Sequence, residues 1–318
     1  MISHKLVAGF LLIVLAACAS PTMQGPGSDT PAYARGDVIN AHLHSAPLGL
    51  DEEAYRAKVL AEMDENAIGV SVLHLNEVSD VEVWLDHAPS RFLAGPSFPC
   101  WRDVSARPVK CDWDGEVFPD LEWLRSQYES GRFAVMGEMF FVYAGISPTD
   151  PRMAPYWDLA AEFDIPVAIH INRGPPAGSR SRPDGCCPAF DEDLGNPELL
   201  RPVLERHPEL RLWLQHAGFP AMPELGNIDY DDETFALLAD YPNVYVDMTA
   251  LNAVMPEPLH AAALQAFIDR GFTDRIMVGT DNWSARAVIE RYERFDFLSE
   301  EQKRAILHDN AARFFRLY

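Results

Sequence analysis

Basic residues are scarce in this chain. Its 318 residues include 26 lysines and arginines against 48 aspartates and glutamates, which gives a formal net charge of −22. Such a surface repels a polyphosphate backbone, and the chain has no basic patch of the kind that nucleic-acid binding requires. A nucleic-acid partner is therefore excluded, and we expect a small-molecule substrate instead. No pattern in the sequence indicates the oligomeric state.

The chain also lacks a hydrophobic run long enough to cross a bilayer comfortably. Its N-terminal apolar run, LVAGFLLIVLAA, has 12 residues and ends at Cys18, whereas a spanning helix needs about 20. This arrangement resembles a bacterial lipoprotein signal peptide, which implies cleavage before Cys18 and a lipid on its thiol. An ordinary secretory signal, in which Cys18 is incidental, is the alternative.

The lipoprotein interpretation sets the expected organisation and location. Residues 1–18 form the signal with lipidated Cys18, residues 19–36 form a flexible linker rich in proline, glycine, serine and threonine, and residues 37–318 form the folded domain. The domain is expected in the cell envelope, facing the periplasm or the exterior, where the lipid anchor is its only contact with a membrane.

Short apolar runs alternate with amphipathic stretches throughout the domain, as in proteins with parallel strands joined by helices. The first apolar run is not followed by the glycine-rich phosphate loop that is typical of doubly wound sheets. The pattern predicts eight strands at 37–44, 68–76, 91–98, 133–141, 165–172, 210–218, 244–250 and 275–283. It predicts helices at 51–65, 119–130, 151–163, 197–206, 231–239, 256–270, 286–295 and 299–317, the last beginning at a capping box, Ser299 to Gln302. Eight such units favour an α/β fold of the (β/α)8 TIM-barrel type. An open doubly wound sheet is the alternative.

Polar side chains stand at the ends of several predicted strands. His42 and His44 lie two positions apart, so they share one face of a strand and can bind one metal ion. Such a pair is equally compatible with hydrogen-bonded core histidines. His170, His216 and Asp281 end three further apolar runs, and the desolvation of the Asp281 carboxylate would be costly without a cation beside it.

These motifs together resemble the amidohydrolase superfamily, in its amidohydrolase-related branch of TIM-barrel metal-dependent hydrolases and decarboxylases. The resemblance covers residues 37–318 and includes the His-x-His pair, Gly137-Glu138, His170, His216, Gly279-Thr280-Asp281 and the terminal ILHDNAARFFRLY. It implies that a divalent metal is held by His42, His44, His170 and Asp281. His216 is then a ligand of a second metal or a general base.

The role of Glu138 and the number of ions stay open at this stage. Glu138 either bridges two metal ions or orients a ligand histidine. Nitrogen and oxygen ligands together favour Zn²⁺, with Mn²⁺ or Fe²⁺ as alternatives. One or two ions are compatible with the motifs.

The resemblance implies a hydrolase that directs metal-activated water at an amide, ester or lactone of a small molecule. Asp281 would accept the proton of the water and deliver it to the leaving group, and His216 would stabilise the developing oxyanion or share the proton. The family's non-oxidative decarboxylases are the alternative chemistry. A non-catalytic binding lipoprotein is the alternative outside enzymes.

Two long loops, 99–120 and 173–195, are expected to determine specificity. Arg173 and Arg180 lie in the second loop and could hold a substrate carboxylate, although solvated loop charges are the simpler explanation. Trp283 could line an aromatic subsite or merely pack.

The two loops also contain the four cysteines that follow Cys18. Because adjacent cysteines pair only with strain, we expect Cys100 or Cys111 to bond across to the Cys186-Cys187 pair. A Cys100–Cys111 disulfide is the simpler alternative, and a loop zinc site is a third.

Overall fold

A computed structural model of the chain describes residues 33–45, 51–100, 111–178, 182–218, 230–249 and 251–318. Each predicted strand is found, in most cases shorter than predicted. The eight strands are β1 (Val38–His44), β2 (Ile68–Leu75), β3 (Phe92–Pro96), β4 (Met136–Met139), β5 (Val167–His170), β6 (Leu212–Gln215), β7 (Val244–Asp247) and β8 (Ile276–Met277). All the pairings between them are parallel.

Two sheets, β1 to β3 and β4 to β8 in sequence order, close into one barrel through backbone hydrogen bonds. At the first seam the Phe98 N–H donates to the Glu138 carbonyl over 3.2 Å. At the second seam the Ala41 N–H donates to the Val278 carbonyl over 2.8 Å. The prediction of a (β/α)8 TIM barrel is confirmed, and the carboxyl ends of the strands open on one face, as in other barrels of this type.

Helices separate consecutive strands. They are α1 (Glu52–Glu65), α2 (Val78–Leu85), α3 (Leu121–Glu129), α4 (Phe141–Ala144), α5 (Ala154–Glu162), α6 (Arg201–Arg206), α7 (Asp231–Asp240), α8 (Leu251–Val254), α9 (Glu257–Asp269), α10 (Ala285–Glu293), α11 (Glu300–Arg304) and α12 (Asn310–Phe315). The predicted capping box of Ser299 and Gln302 is confirmed. The sequence analysis missed α2, α4 and α8, which are too short to show a helical period clearly.

The barrel interior is filled by side chains from every strand. Below the mouth the layer consists of aliphatic residues with two large rings, Trp213 on β6 and Tyr245 on β7. Phe314 and Phe315 of α12 pack edge-on against the Trp213 ring, with centroids 5.8 and 5.3 Å away. The C-terminal helix thus closes the bottom of the barrel, and alternate residues along several strands rise from this layer to the mouth.

The disulfides differ from the expectation. Cys100 bonds to Cys111, with Cα atoms 5.6 Å apart, and Cys186 bonds to its neighbour Cys187, with Cα atoms 3.7 Å apart. The expected cross-loop bridge is therefore wrong, and the simpler Cys100–Cys111 pairing is confirmed. Each disulfide therefore joins two cysteines of the same predicted loop.

Within the described residues, every helix is too short or too polar to cross a membrane. Cys18, whose lipidation the sequence predicts, and Arg180 lie outside the described residues. Both therefore remain sequence predictions.

A buried carboxyl group joins the end of β1 to the start of α2. Asp80 Oδ2 accepts hydrogen bonds from the Ser45 hydroxyl at 2.6 Å and from the Asn76 and Glu77 amides at 2.8 and 3.1 Å. Burial raises the pKa of Asp80 from 3.8 to about 6, against these hydrogen bonds. An acid with a raised pKa keeps its proton in the folded state after the unfolded chain has lost it.

We predict that Asp80 makes the fold less stable as the pH rises from about 4 to about 6. The loss is up to about 3 kcal/mol, because one pKa unit corresponds to about 1.4 kcal/mol. Asp80→Asn keeps an acceptor oxygen but cannot ionise, so its free energy of unfolding should rise relative to the wild type across this window. Urea unfolding at several pH values measures the difference, with the exposed Asp296→Asn variant as control. Parallel pH profiles for Asp80→Asn and the wild type would contradict the prediction.

Candidate active site

The two histidines of β1 converge at the mouth of the barrel. Their Nε2 atoms lie 3.1 Å apart, and both side chains are buried. Pairing with β2 shifts register between Asn40 and Leu43. Because Ala41 belongs to the interior layer, regular alternation would send Leu43 inward, and this shift instead turns His42 and His44 toward the mouth.

A similar irregularity in β4 delivers Glu138. The register with β5 shifts between Met136 and Met139, and the intervening Gly137 has a φ of +102°. A side chain at Gly137 would collide with the Ala168 carbonyl, so the strand passes close to β5 there only because the residue is glycine. The next side chain, Glu138, is then free to enter the mouth.

Glu138 divides the site into two groups. Its Oε2 lies 2.9 Å from His44 Nε2 and 3.4 Å from His42 Nε2. Its Oε1 lies 2.6 Å from His170 Nδ1 and 3.4 Å from His216 Nε2. One buried carboxylate therefore faces two pairs of imidazoles through different oxygens.

Asp281 completes the first group from the loop after β8. Its Oδ1 lies 3.6 Å from His44 Nε2 and 3.8 Å from His42 Nε2. The backbone there is left-handed, with φ of 47°, and is held by the bond from the Asp281 N–H to the His42 carbonyl over 2.9 Å. The Asp281 side chain is 22% exposed, in contrast to the buried histidines and Glu138, so it is the member of this group that faces solvent.

His170 and His216 form the second group with Glu138. His216 Nε2 lies 3.1 Å from His170 Nδ1, and the other ring nitrogen of His170 lies 3.2 Å from Asn172 Oδ1. The sequence analysis assigned His170 to one ion together with His42, His44 and Asp281. The structure places it instead with His216, because β5 and β6 are neighbours in the barrel whereas β1 adjoins β8.

Sequence reasoning missed two residues that support these ligands. Asp247 ends β7, where its Oδ2 lies 3.3 Å from His42 Nδ1. The hydroxyl of Thr249, two residues further, lies within 3.1 Å of ring nitrogens of both His42 and His216. Asp247 ends the apolar run VYVD just as Asp281 follows an apolar run, so a carboxylate at the end of an apolar strand could have identified it.

Another histidine lies just below the site. His74 Nδ1 is 2.5 Å from the Gly137 carbonyl, so it donates there, and His74 Nε2 then accepts from the Gln215 amide at 2.8 Å. Burial, and then the nearby positive charge of His42 and His44, hold the pKa of His74 well below its usual value. His74 is thus a neutral support for the backbone that carries Glu138.

The charges in the site are balanced within the protein interior. Burial lowers the pKa of His42, but the neighbouring carboxylates outweigh burial and raise it well above its usual value. Burial raises the pKa of Glu138, but the surrounding imidazoles outweigh it and hold this pKa well below the ordinary value. A charged Glu138 among histidines is the state that metal binding requires.

The two groups fit divalent metal ions. For ligand distances of 2.0–2.1 Å, neighbouring ligand atoms of a tetrahedral ion lie about 3.3–3.4 Å apart. The first group, formed by His42, His44, Asp281 and Glu138 Oε2, has separations of 2.9 to 3.8 Å. The second group, Glu138 Oε1 with His170 and His216, has separations of 2.6 to 3.4 Å. Imidazole nitrogens and carboxylate oxygens are also the donors that such ions take.

Two of the predicted substrate residues, Arg173 and Trp283, follow β5 and β8. Arg173 is paired with Glu192 over 3.4 Å and lies over the ring of Tyr230 at 5.4 Å. Its charge is therefore shared with a carboxylate of its own loop. Trp283 follows Asp281 and is 48% exposed.

Aromatic rings cover the second group. The ring of Tyr143 lies 5.2 Å from that of His170 and 5.6 Å from that of Phe190. The guanidinium of Arg182 lies 3.4 Å from the Phe190 ring centroid. Tyr143 of α4 and Phe190, from the loop after β5 that contains the Cys186–Cys187 disulfide, thus form an aromatic wall beside His170.

A barrel with a histidine and carboxylate cluster at the carboxyl ends of its strands defines a class of metal-binding TIM-barrel proteins. A family model described as amidohydrolase matches residues 122–317. Since this match spans more than half of the chain, the protein belongs to the amidohydrolase family. The family resemblance predicted from the sequence motifs is confirmed.

Solved structures share the fold. A probable 2-pyrone-4,6-dicarboxylic acid hydrolase from Acinetobacter baumannii is 13% identical, with a TM-score of 0.58 over 88% of this chain and 99% of that one. An amidohydrolase from Burkholderia multivorans is 18% identical, with a TM-score of 0.56 over 88% and 99%. A 2,6-dihydroxybenzoate decarboxylase from Rhizobium is 17% identical, with a TM-score of 0.54 over 90% and 99%. No functionally curated protein sequence matches the chain. These likenesses show the common barrel.

Proposed function

We propose that this protein is a metal-dependent hydrolase that cleaves an amide, ester or lactone of a small molecule, with two divalent ions in its barrel mouth. The observation that carries the proposal is the Glu138 carboxylate, whose two oxygens face separate imidazole pairs at 2.6 to 3.4 Å. A carboxylate so placed can bridge two ions, and paired ions are typical of hydrolytic sites. Its bridging role is therefore favoured over the orienting role.

The two groups would divide the ligands between the ions. His42, His44 and Asp281 would hold one ion and His170 with His216 the other, while Glu138 joins them. The mixed nitrogen and oxygen donors favour Zn²⁺, with Mn²⁺ or Fe²⁺ as alternatives. Ions bound there would supply Lewis-acid activation and a lowered pKa for water, from 15.7 to about 7.

Asp281 is the residue that we propose moves a proton. Its side chain is the solvent-facing member of the first group, so one oxygen can contact an ion while the other takes a proton from water and passes it to a leaving group. His216 is buried next to Glu138, and its backbone N–H donates a hydrogen bond to Asp247 Oδ1 over 3.1 Å. Its place among the second group favours a ligand role over that of a mobile base.

The rim indicates where a substrate would lie. Tyr143 and Phe190 supply an aromatic wall beside His170. Trp283, which follows β8, is exposed. Arg173 would exchange its contact with Glu192 for a substrate carboxylate. Arg180 is proposed for the same role from its place in the loop.

Non-oxidative decarboxylation is the second candidate. It is favoured by the likeness to the Rhizobium decarboxylase, whose barrel aligns over most of both chains. The two reactions differ in their products, because a decarboxylase releases carbon dioxide from an aromatic acid and a hydrolase adds water across the bond that it cleaves.

We predict that the purified protein carries two divalent ions per chain and that Glu138→Gln lowers this to one or fewer. Glutamine keeps the size of the side chain but has a single neutral oxygen, so it cannot hold both ions. Metal analysis of the two proteins after gel filtration measures the content, and the exposed Glu301→Gln variant serves as control. Two ions retained in Glu138→Gln would contradict a bridging role.

We predict that Asp281→Asn lowers turnover by a factor of about 100 or more while the fold stays intact, because an amide cannot accept the proton. Asparagine also tolerates the left-handed backbone at this position. A screen of esters, lactones, amides and aromatic carboxylates supplies the assay, with carbon dioxide detection to separate the two reactions. Near wild-type rates in Asp281→Asn, beside an unchanged exposed Asp269→Asn control, would refute the role.

A further inference from the structure

Two buried residues after β7 connect the two halves of the site. Asp247 Oδ1 accepts three hydrogen bonds, from the amides of His216 and Thr249 at 3.1 Å each and from the Thr249 hydroxyl at 2.5 Å. Its other oxygen, Oδ2, lies 3.3 Å from His42 Nδ1. An aspartate that only accepts hydrogen bonds is ionised, so it has no proton to give to the Thr249 hydroxyl.

The hydroxyl of Thr249 therefore has a single arrangement of hydrogen bonds. A hydroxyl offers one proton and two acceptor positions. The proton goes to Asp247, so the two acceptor positions face His42 Nδ1 at 3.1 Å and His216 Nδ1 at 3.0 Å. Both imidazoles must then carry a proton on Nδ1, which in His42 also faces Asp247 Oδ2 and in His216 the Thr249 carbonyl, each at 3.3 Å. Nε2 is therefore the atom of each ring that is left to bind a metal ion.

Those two Nε2 atoms belong to different groups. His42 Nε2 lies 3.1 Å from His44 Nε2 in the first group. His216 Nε2 lies 3.1 Å from His170 Nδ1 in the second group. One hydroxyl thus contacts the Nδ1 atom of one histidine on each side of Glu138.

Packing confines the threonine to this position. A Cβ added at Gly279 would lie 2.5 Å from Thr249 Cγ2 and 2.7 Å from His42 Cβ. The methyl group and the histidine therefore press against the backbone of Gly279, which has room for them only because it carries no side chain. The hydroxyl is consequently held toward the two imidazoles.

We infer that Thr249, held by Asp247, is a positioning residue that fixes the ring orientation of His42 and His216 and so couples the two metal-binding groups. The coupling between ions rests on the proposed function, whereas the tautomers are a property of the protein itself. Residues that support a ligand histidine in this way commonly change metal affinity 10–100-fold when they are replaced.

The test compares two substitutions at Thr249. Thr249→Val keeps the shape but removes the hydroxyl, and Thr249→Ser keeps the hydroxyl. The matched control is Thr234→Val, because Thr234 is also buried and, among the described residues, its hydroxyl has no hydrogen-bond partner. Zn²⁺ affinity is measured for each ion by chelator competition, and ¹⁵N chemical shifts of labelled histidines report the tautomers in metal-free protein.

We expect Thr249→Val to weaken the binding of both ions by a factor of about 10 or more, with Thr249→Ser and Thr234→Val within about threefold of the wild type. The shifts should show a protonated Nδ1 at His42 and His216 in the wild type. Thr249→Val should keep both protons, because Asp247 Oδ2 and the backbone carbonyl of residue 249 still face the two Nδ1 atoms at 3.3 Å, so its loss of affinity reports the orientation of the rings. Asp247→Asn provides a second variant, since its amide would donate to His42 Nδ1 and favour the opposite tautomer at His42.

The outcomes separate the two proposals. If the wild type binds no Zn²⁺, the proposed metal site fails, and the tautomers alone decide whether Thr249 positions the histidines. If the wild type binds two ions but Thr249→Val binds both as tightly, or loses only one, the coupling is overturned. A wild-type Nδ1 that carries no proton, at either histidine, overturns the inference directly.

Discussion

The carboxylate of Glu138 is the constraint on which the rest of the site depends. It is buried, negatively charged, and placed between imidazoles at 2.6 to 3.4 Å on its two sides. An isolated carboxylate in such a position would be very costly to desolvate. The histidines stabilise it, and the carboxylates of Asp247 and Asp281 in turn stabilise positive charge near His42. The imidazoles and the carboxylates therefore stabilise one another's charged forms. A charged carboxylate among imidazoles is also the arrangement that binds cations.

The barrel supplies this set through local departures from regular strands. Regular alternation brings Asp247 and His170 from the interior layer to the mouth, whereas β1 and β4 need register shifts to present His42 and Glu138. Left-handed backbone at His216 and Asp281 places the remaining ligands. A left-handed backbone at a residue other than glycine is energetically unfavourable, and it persists at functional sites because contacts with the surrounding structure stabilise it.

Much of this arrangement could be predicted from the sequence. Eight apolar runs indicated the barrel, and polar residues at their ends indicated most of the histidine and carboxylate cluster at its mouth. The division into two groups could not be predicted, because it depends on which strands are neighbours after the barrel closes. The same limit applied to the disulfides, because the distance between two cysteines in the fold, such as Cys100 and Cys111, cannot be read from their spacing in the sequence. Thr249 carried no signal, since a hydroxyl after a strand is common and its role depends on two distant histidines.

Crystals of the protein loaded with Zn²⁺, measured at the zinc absorption edge, test the central claim most directly. The account predicts two anomalous peaks on either side of the Glu138 carboxylate, one within about 2.2 Å of His42 Nε2 and the other within about 2.2 Å of His216 Nε2. A single peak, or ions that do not contact Glu138, would contradict it.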